Sequence, residues 1–92
     1  MSEMRFLPKL CDFLKQHNTI YTVRQYKHTS VNTYVKGIGP CNCALIRRIS
    51  NKDQLSNYVT QSGFASAEHW WIAICKFIPV GSDMWLFKVV VK

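Results

Sequence analysis

The chain has 92 residues, 48% of them hydrophobic, and a formal net charge of +7. That length fits one domain with one modest core. The spread of aromatic and β-branched residues excludes a disordered tail, and no apolar run approaches the ~18 residues that a transmembrane helix needs.

Met1 is followed by Ser2-Glu3-Met4-Arg5 rather than by an apolar stretch. No secretory signal is therefore expected, and the chain reads as cytoplasmic. Residues 4–6 suit a short first strand. Pro8 fits the first turn of a helix that runs to about Gln16, with Leu10, Cys11, Phe13 and Leu14 as its apolar stripe and His17-Asn18 as its close. Residues 19–26 are dense in β-branched and aromatic side chains and read as a strand. Its alternation separates Tyr21 and Val23 from Thr22 and Arg24, so with the apolar pair toward the core Thr22 and Arg24 face outward together. Lys27-His28-Thr29-Ser30 is a polar loop, and residues 31–36 form a further strand. Gly37-Ile38-Gly39-Pro40 is a turn. Residues 44–49 form another strand, carrying Arg47 and Arg48 on opposite faces.

Ser50 and Asp53 have the spacing of a capping box, with Ser50 as N-cap. A short helix then runs through Leu55, Tyr58 and Val59 and ends at Ser62-Gly63. Ser66 caps the next helix, with Glu68 in its favourable first turn and Trp70, Trp71, Ile74, Cys75 and Ile78 as its apolar face. Pro79, Gly81 and Ser82 mark a turn. Residues 84–91 are almost wholly apolar, as a central strand covered on both faces would be. The order is β-α-β-β-β-α-α-β. It predicts an α+β domain spanning 1–92, in which a small, mostly antiparallel sheet curls into a β-barrel with two to three flanking helices.

Twelve Lys and Arg stand against five Asp and Glu, and no acid lies between Asp12 and Asp53. That interval holds Lys15, Arg24, Lys27, Lys36, Arg47, Arg48 and Lys52, with His17 and His28. One side of a small domain built this way is strongly positive, and polyanions are the natural partners, because neutralised phosphates release condensed counterions. The plainer alternative is charge that only keeps the protein soluble. Arg24 is the first candidate for ligand contact, since a guanidinium offers planar, bidentate donors. Lys27, Lys36 and one of Arg47 and Arg48 are candidates for phosphate contact. Of the two adjacent tryptophans, either both are buried, or one belongs to the core and the other, taken as Trp71, is a stacking platform. Tyr26 is a candidate of the same kind.

The four cysteines, Cys11, Cys41, Cys43 and Cys75, read as reduced and mostly buried. Cys41-Asn42-Cys43 lacks the second ligand pair that a tetrahedral metal site needs, so neither metal nor cofactor is expected. Catalysis wants a paired acid and base or an activated nucleophile, and acids are scarce.

Three segments resemble the ASCH family, a branch of the PUA-like β-barrels: Thr19-Ile20-Tyr21-Thr22-Val23-Arg24 after the first helix, the stretch from Gln61-Ser62-Gly63-Phe64 to Trp70, and Met84-Trp85-Leu86-Phe87-Lys88-Val89 at the end. With the early helix before the first of them, they are spread from the first quarter of the chain to its end, in the family's order. The resemblance implies a barrel with a cleft beside the helices that binds RNA or another single-stranded nucleic acid, with Thr22 and Arg24 lining it. Some members of that family are small hydrolases that remove the acetyl group of acetylated cytidine with a Lys, a Thr and a Glu. Thr22 matches the Thr, while the Lys and Glu positions fall on Thr19 and Ser62. Lys15 substitutes only if the helix end shifts by a turn. Binding without turnover is the resulting expectation, and a hydrolase acting on RNA or a modified nucleoside is its alternative.

Overall fold

β5 (Met84–Val91) is the strand around which the domain is assembled. In the computed structural model, which describes residues 2–25, 32–79 and 81–92, the other elements are β1 (Ser2–Met4), α1 (Pro8–His17), β2 (Thr19–Arg24), β3 (Asn32–Val35), β4 (Gly39–Ile49) and α2 (Ala67–Phe77). Two 3-10 turns, Lys52–Leu55 and Val59–Gln61, link β4 to α2. β3, β4, β5 and β2 form a four-stranded antiparallel sheet, and β1 adds in parallel along β3, giving the order β1-β3-β4-β5-β2. The fold is α+β, with two α-helices among the described residues. Among those residues, no helix is long and apolar enough to cross a membrane.

The apolar run of β5 serves two cores. Phe87 and Val89 pack with Ile20, Cys41, Cys43, Val35 and Met4 beneath Leu14 of α1. Leu86 points the other way, into a cluster with Val23, Ile49, Leu55 and the α2 residues Trp70 and Ile74, with Ile78 just beyond. Leu86, Phe87 and Val89 are all fully buried. Each large apolar side chain buried in this way stabilises the fold by roughly 1.5–3 kcal/mol. The expectation of a strand covered on both faces is met by this pattern.

The helix ends have local causes. Pro8 occupies the first turn of α1, where a missing N–H costs nothing. Asn18 closes α1 at φ 60°, and its N–H donates to the Leu14 carbonyl at 2.8 Å. Asn tolerates this left-handed geometry better than most residues. The Asn18 carbonyl accepts from the Val91 N–H at 2.9 Å, which ties the end of α1 to β5. The Ser66 hydroxyl accepts from the His69 N–H at 3.1 Å and caps α2, as expected.

Several expectations are corrected. β4 begins at Gly39 rather than residue 44, because the reversal is completed earlier, by Gly37 at φ +87° and an Ile38 N–H bond to Val35. The helix expected after Ser50 is a pair of 3-10 turns, and its box is shifted by one residue. Asn51 is the N-cap, and Gln54 answers it by accepting from the Ser50 and Asn51 N–H groups. A register shift between Leu45 and Arg47 accompanies five consecutive exposed residues, 44–48, on β4. Cys41 and Cys43 are buried and Cys11 is half-buried, but Cys75 is exposed, against the expectation that it belongs to the apolar face of α2. All four are free thiols.

Candidate functional site

β2 is the last strand in the sheet order, so one of its edges is not covered by another strand of the described sheet. Consecutive residues Tyr21, Thr22, Val23, Arg24 and Gln25 line a cleft of about 460 Å³. Its other walls are the β1–α1 connection, Arg5 to Pro8, with Leu10, and the residues Trp70, Ala73, Ile74, Phe77 and Ile78 on and just after α2, with Phe64 from the loop before that helix. The volume lies in the range of small-ligand sites, about 300–1,000 Å³.

The cleft combines planar groups with cations. The Arg24 guanidinium lies over the Phe6 ring, 4.9 Å from its centroid, and Nη2 donates to the Arg5 carbonyl at 3.1 Å. That bond joins the ends of β1 and β2, the two outer strands of the sheet. Phe64 and Trp70 are stacked, with centroids 6.2 Å apart and 11° between planes. Tyr21 packs edge-on against Tyr58 at 5.0 Å, with the Lys88 ammonium 6.0 Å from its centroid. Among the described residues, no carboxylate lines the cleft.

Gly63 sets the position of Phe64. Its φ of +83° belongs to the left-handed region that glycine adopts without strain, and a Cβ there would lie 2.7 Å from Leu10 Cδ2. The loop therefore rests directly on α1. Ser62 beside it is fully buried. Its hydroxyl donates to the Val59 carbonyl at 2.7 Å and accepts from the Phe64 N–H at 3.1 Å.

The structure thus brings together Thr22 and Arg24 and separates them from the other expected residues. Thr22 is buried rather than facing solvent, because the walls of the cleft cover that part of β2. Tyr26 and Lys27, with His28, lie outside the described residues. Lys36 follows β3, exposed, with its N–H on the Met4 carbonyl at 3.1 Å. Arg47 pairs across from Leu86 and Arg48 across from Trp85, and neither lines the cleft. Arg48 forms an ion pair with Asp83. Trp71 is half-buried against the core cluster under α2, while Trp70 is buried and lines the cleft. Of Thr19, Thr22 and Ser62, only Thr22 lines the cleft, and Lys15 does not.

Arg5, Phe6, Phe64, Trp70 and Phe77 join Thr22 and Arg24 as functional candidates that the sequence alone does not single out. A signal for two of them is nevertheless present. Residues 70, 73, 74, 77 and 78 recur at the spacing of one helical face, which selects Trp70 and Phe77 and leaves out Trp71 and Cys75.

Behind the cleft, burial pushes the Cys43 thiol up to about 11, an effect partly offset by the Arg24 guanidinium and reinforced by Cys41. Burial also raises Cys41, with Lys92 opposing it. Both therefore stay protonated near neutrality, as small apolar side chains rather than nucleophiles or metal ligands.

No family model, no curated protein and no solved structure matches the chain.

Proposed function

We propose that this domain binds RNA, or another single-stranded nucleic acid, by taking an unpaired base into the cleft along β2. The observation that carries the reading is the composition of that cleft: stacked aromatic rings and a guanidinium held over Phe6, with no carboxylate among the described lining residues. Single-stranded RNA is read by splaying bases onto aromatic rings and arginine planes and by hydrogen-bonding their edges. Stacking of one base contributes about 1–3 kcal/mol. Thr22 and Arg24, with the backbone of the outer strand β2, supply donors and acceptors for the base edge.

The same reading includes the finer fold assignment, a PUA-like barrel of the ASCH type. It is supported by the order of elements and by the Arg24 bond to the Arg5 carbonyl, which links the two outer strands. In this reading Arg24 and Thr22 recognise the base. The wider positive charge of the chain, +7 in total, attracts the strand.

The test is direct binding of single-stranded RNA, duplex RNA and single-stranded DNA at two salt concentrations. The expected result is preference for single strands and a linear fall of log affinity with log salt, steeper as more phosphates are contacted. Equal binding of duplex and single strand would contradict base insertion. A shallow salt slope with preference for an acidic peptide would assign the cleft to a protein partner.

A further inference from the structure

We propose that a second groove, between the first turn of α1 and the body of α2, is a phosphate subsite for the nucleotide whose base enters the main cleft. This inference rests on the nucleic-acid reading above. The groove has a volume of about 350 Å³ and presents Lys9, His69 and Lys76. Phe64 and Ala73 line both this groove and the main cleft, so one wall separates the two. A ligand that lays a planar group on one side of Phe64 and an anion on the other would occupy both.

The chemistry of the two sites divides in that way. The main cleft offers flat groups: Arg24 on Phe6, and Phe64 on Trp70. The second groove offers two ammonium groups, which bind phosphate as point charges without demanding a planar partner. His69 adds an imidazole ring. Its Nδ1 lies 3.0 Å from the Ser66 hydroxyl, which also accepts the His69 backbone N–H at 3.1 Å. The tautomer that carries its hydrogen on Nε2 is the one that lets Ser66 donate to Nδ1. Among the described residues, no carboxylate lines the groove. The nearest acids in sequence are Asp12, one turn along α1 from Lys9, and Glu68, beside His69, and neither is buried. Lys9 and Lys76 come from different helices, so the site exists only in the folded domain.

The phosphate can be an internal diester of a strand or the monoester of a terminal or free nucleotide, and one set of titrations separates them. Wild-type protein and the double variant Lys9→Gln, Lys76→Gln are titrated with the ribonucleosides A, C, G and U, with their 5′- and 3′-monophosphates, and with a short single-stranded RNA. Both lysines are exposed, so the melting temperature of the variant should equal that of the wild type. For wild type, at least one monophosphate is expected to bind about tenfold more tightly than its nucleoside, the increment of a charge-assisted hydrogen bond. In the double variant that advantage disappears while nucleoside affinity is kept. If the phosphate is an internal diester, the RNA salt slope also becomes shallower by about 0.7 for each phosphate no longer neutralised. Weaker monophosphate binding with an unchanged RNA slope supports the subsite and assigns it to a terminal or free phosphate. A variant that binds nucleosides, monophosphates and RNA as the wild type does would overturn the proposal while leaving base insertion standing. A wild type that binds monophosphates but no nucleoside would uphold the phosphate site and remove the base reading. No binding of any probe would overturn both.

Discussion

Arg24 and Arg48 occupy one row of the sheet, each directly opposite Trp85 on β5. With strands about 4.8 Å apart, the two backbones are separated by roughly 10 Å. Their surroundings nevertheless differ in kind. Arg24 lies over Phe6, is bonded to the Arg5 carbonyl and lines a cleft with Trp70 and Phe64. Arg48 stands on the exposed stretch of β4, with its side chain 59% exposed and paired with Asp83. Both carry the same charge, and both lie in the acid-free interval of the sequence. What separates the two surroundings is the apolar wall around Arg24, which lowers the local dielectric and fixes the plane of the guanidinium. In the proposed reading, charge counting gives the sign of the partner and packing gives its place.

The largest expected effect comes from removing that wall. Trp70 is buried and forms part of the cleft, whereas Trp71 is half-buried. Trp70→Ala should cost about 3–5 kcal/mol, a large share of the roughly 5–15 kcal/mol that holds a domain together. Trp71→Ala should cost about 1–2 kcal/mol. Urea unfolding followed by far-ultraviolet circular dichroism measures both. Equal losses would mean that the two tryptophans share one environment and that the cleft wall is misplaced.

The next effect concerns the thiols behind Arg24. The folded state raises Cys43 to about 11 and also raises Cys41. Below about pH 9 both are protonated in the folded and unfolded chains, and their full contribution to stability is present. As pH rises above that, the unfolded chain ionises first, so stability falls until the folded thiols ionise as well. For Cys43 the loss should reach about 2 kcal/mol by about pH 10.5. Denaturant midpoints across this range should fall less steeply for Cys43→Ala than for wild type. An identical slope in both proteins would show that the thiol is not desolvated. Because Arg24 partly offsets the shift, Arg24→Gln should raise Cys43 further and deepen the alkaline decline, an effect that Arg48→Gln should lack.

A smaller effect is expected at Gly63. An alanine there meets Leu10 Cδ2 at 2.7 Å, and the backbone sits at φ +83°. The leucine tip can swing aside, so the main cost is the left-handed backbone, about 1–2 kcal/mol. Leu10 and Phe64 both line the cleft, so RNA affinity should drop along with the melting temperature. Thermal unfolding and binding measured on the same sample would check the pairing. A stable Gly63→Ala variant with unchanged affinity would detach this loop from the site.

Much of the fold is legible in the sequence because its strongest signals are local. Pro79, Gly81 and an almost wholly apolar run mark β5, and Ser66 with Glu68 marks the start of α2. Thr22 and Arg24 are legible as a pair through strand alternation. The rest depends on contacts that sequence spacing does not carry. Arg5 and Phe6 are met by the long Arg24 side chain, although β1 pairs with β3 and β2 with β5. The register shift after Leu45 has no glycine to announce it. The choice of Asn51 over Ser50 as N-cap turns on Gln54, which has the reach to return to the Ser50 and Asn51 N–H groups. Trp70 and Trp71 are adjacent and chemically identical, and only the helical period, carried through Ala73, Ile74 and Phe77, tells the cleft residue from its neighbour.

The claim that the cleft, and not the general positive charge, holds the nucleic acid is tested most directly by comparing Arg24→Gln with Arg48→Gln. Each substitution removes one positive charge from the same row of the sheet. Affinity for a short single-stranded RNA is measured by fluorescence anisotropy at fixed moderate salt, with melting temperatures as the control for folding. Arg24→Gln is expected to weaken binding by about tenfold or more, since it removes a charge-assisted hydrogen bond in a partly desolvated site. Arg48→Gln is expected to stay within about twofold, since an exposed, ion-paired side chain contributes little. Equal losses in the two variants, or a larger loss for Arg48→Gln, would contradict the claim.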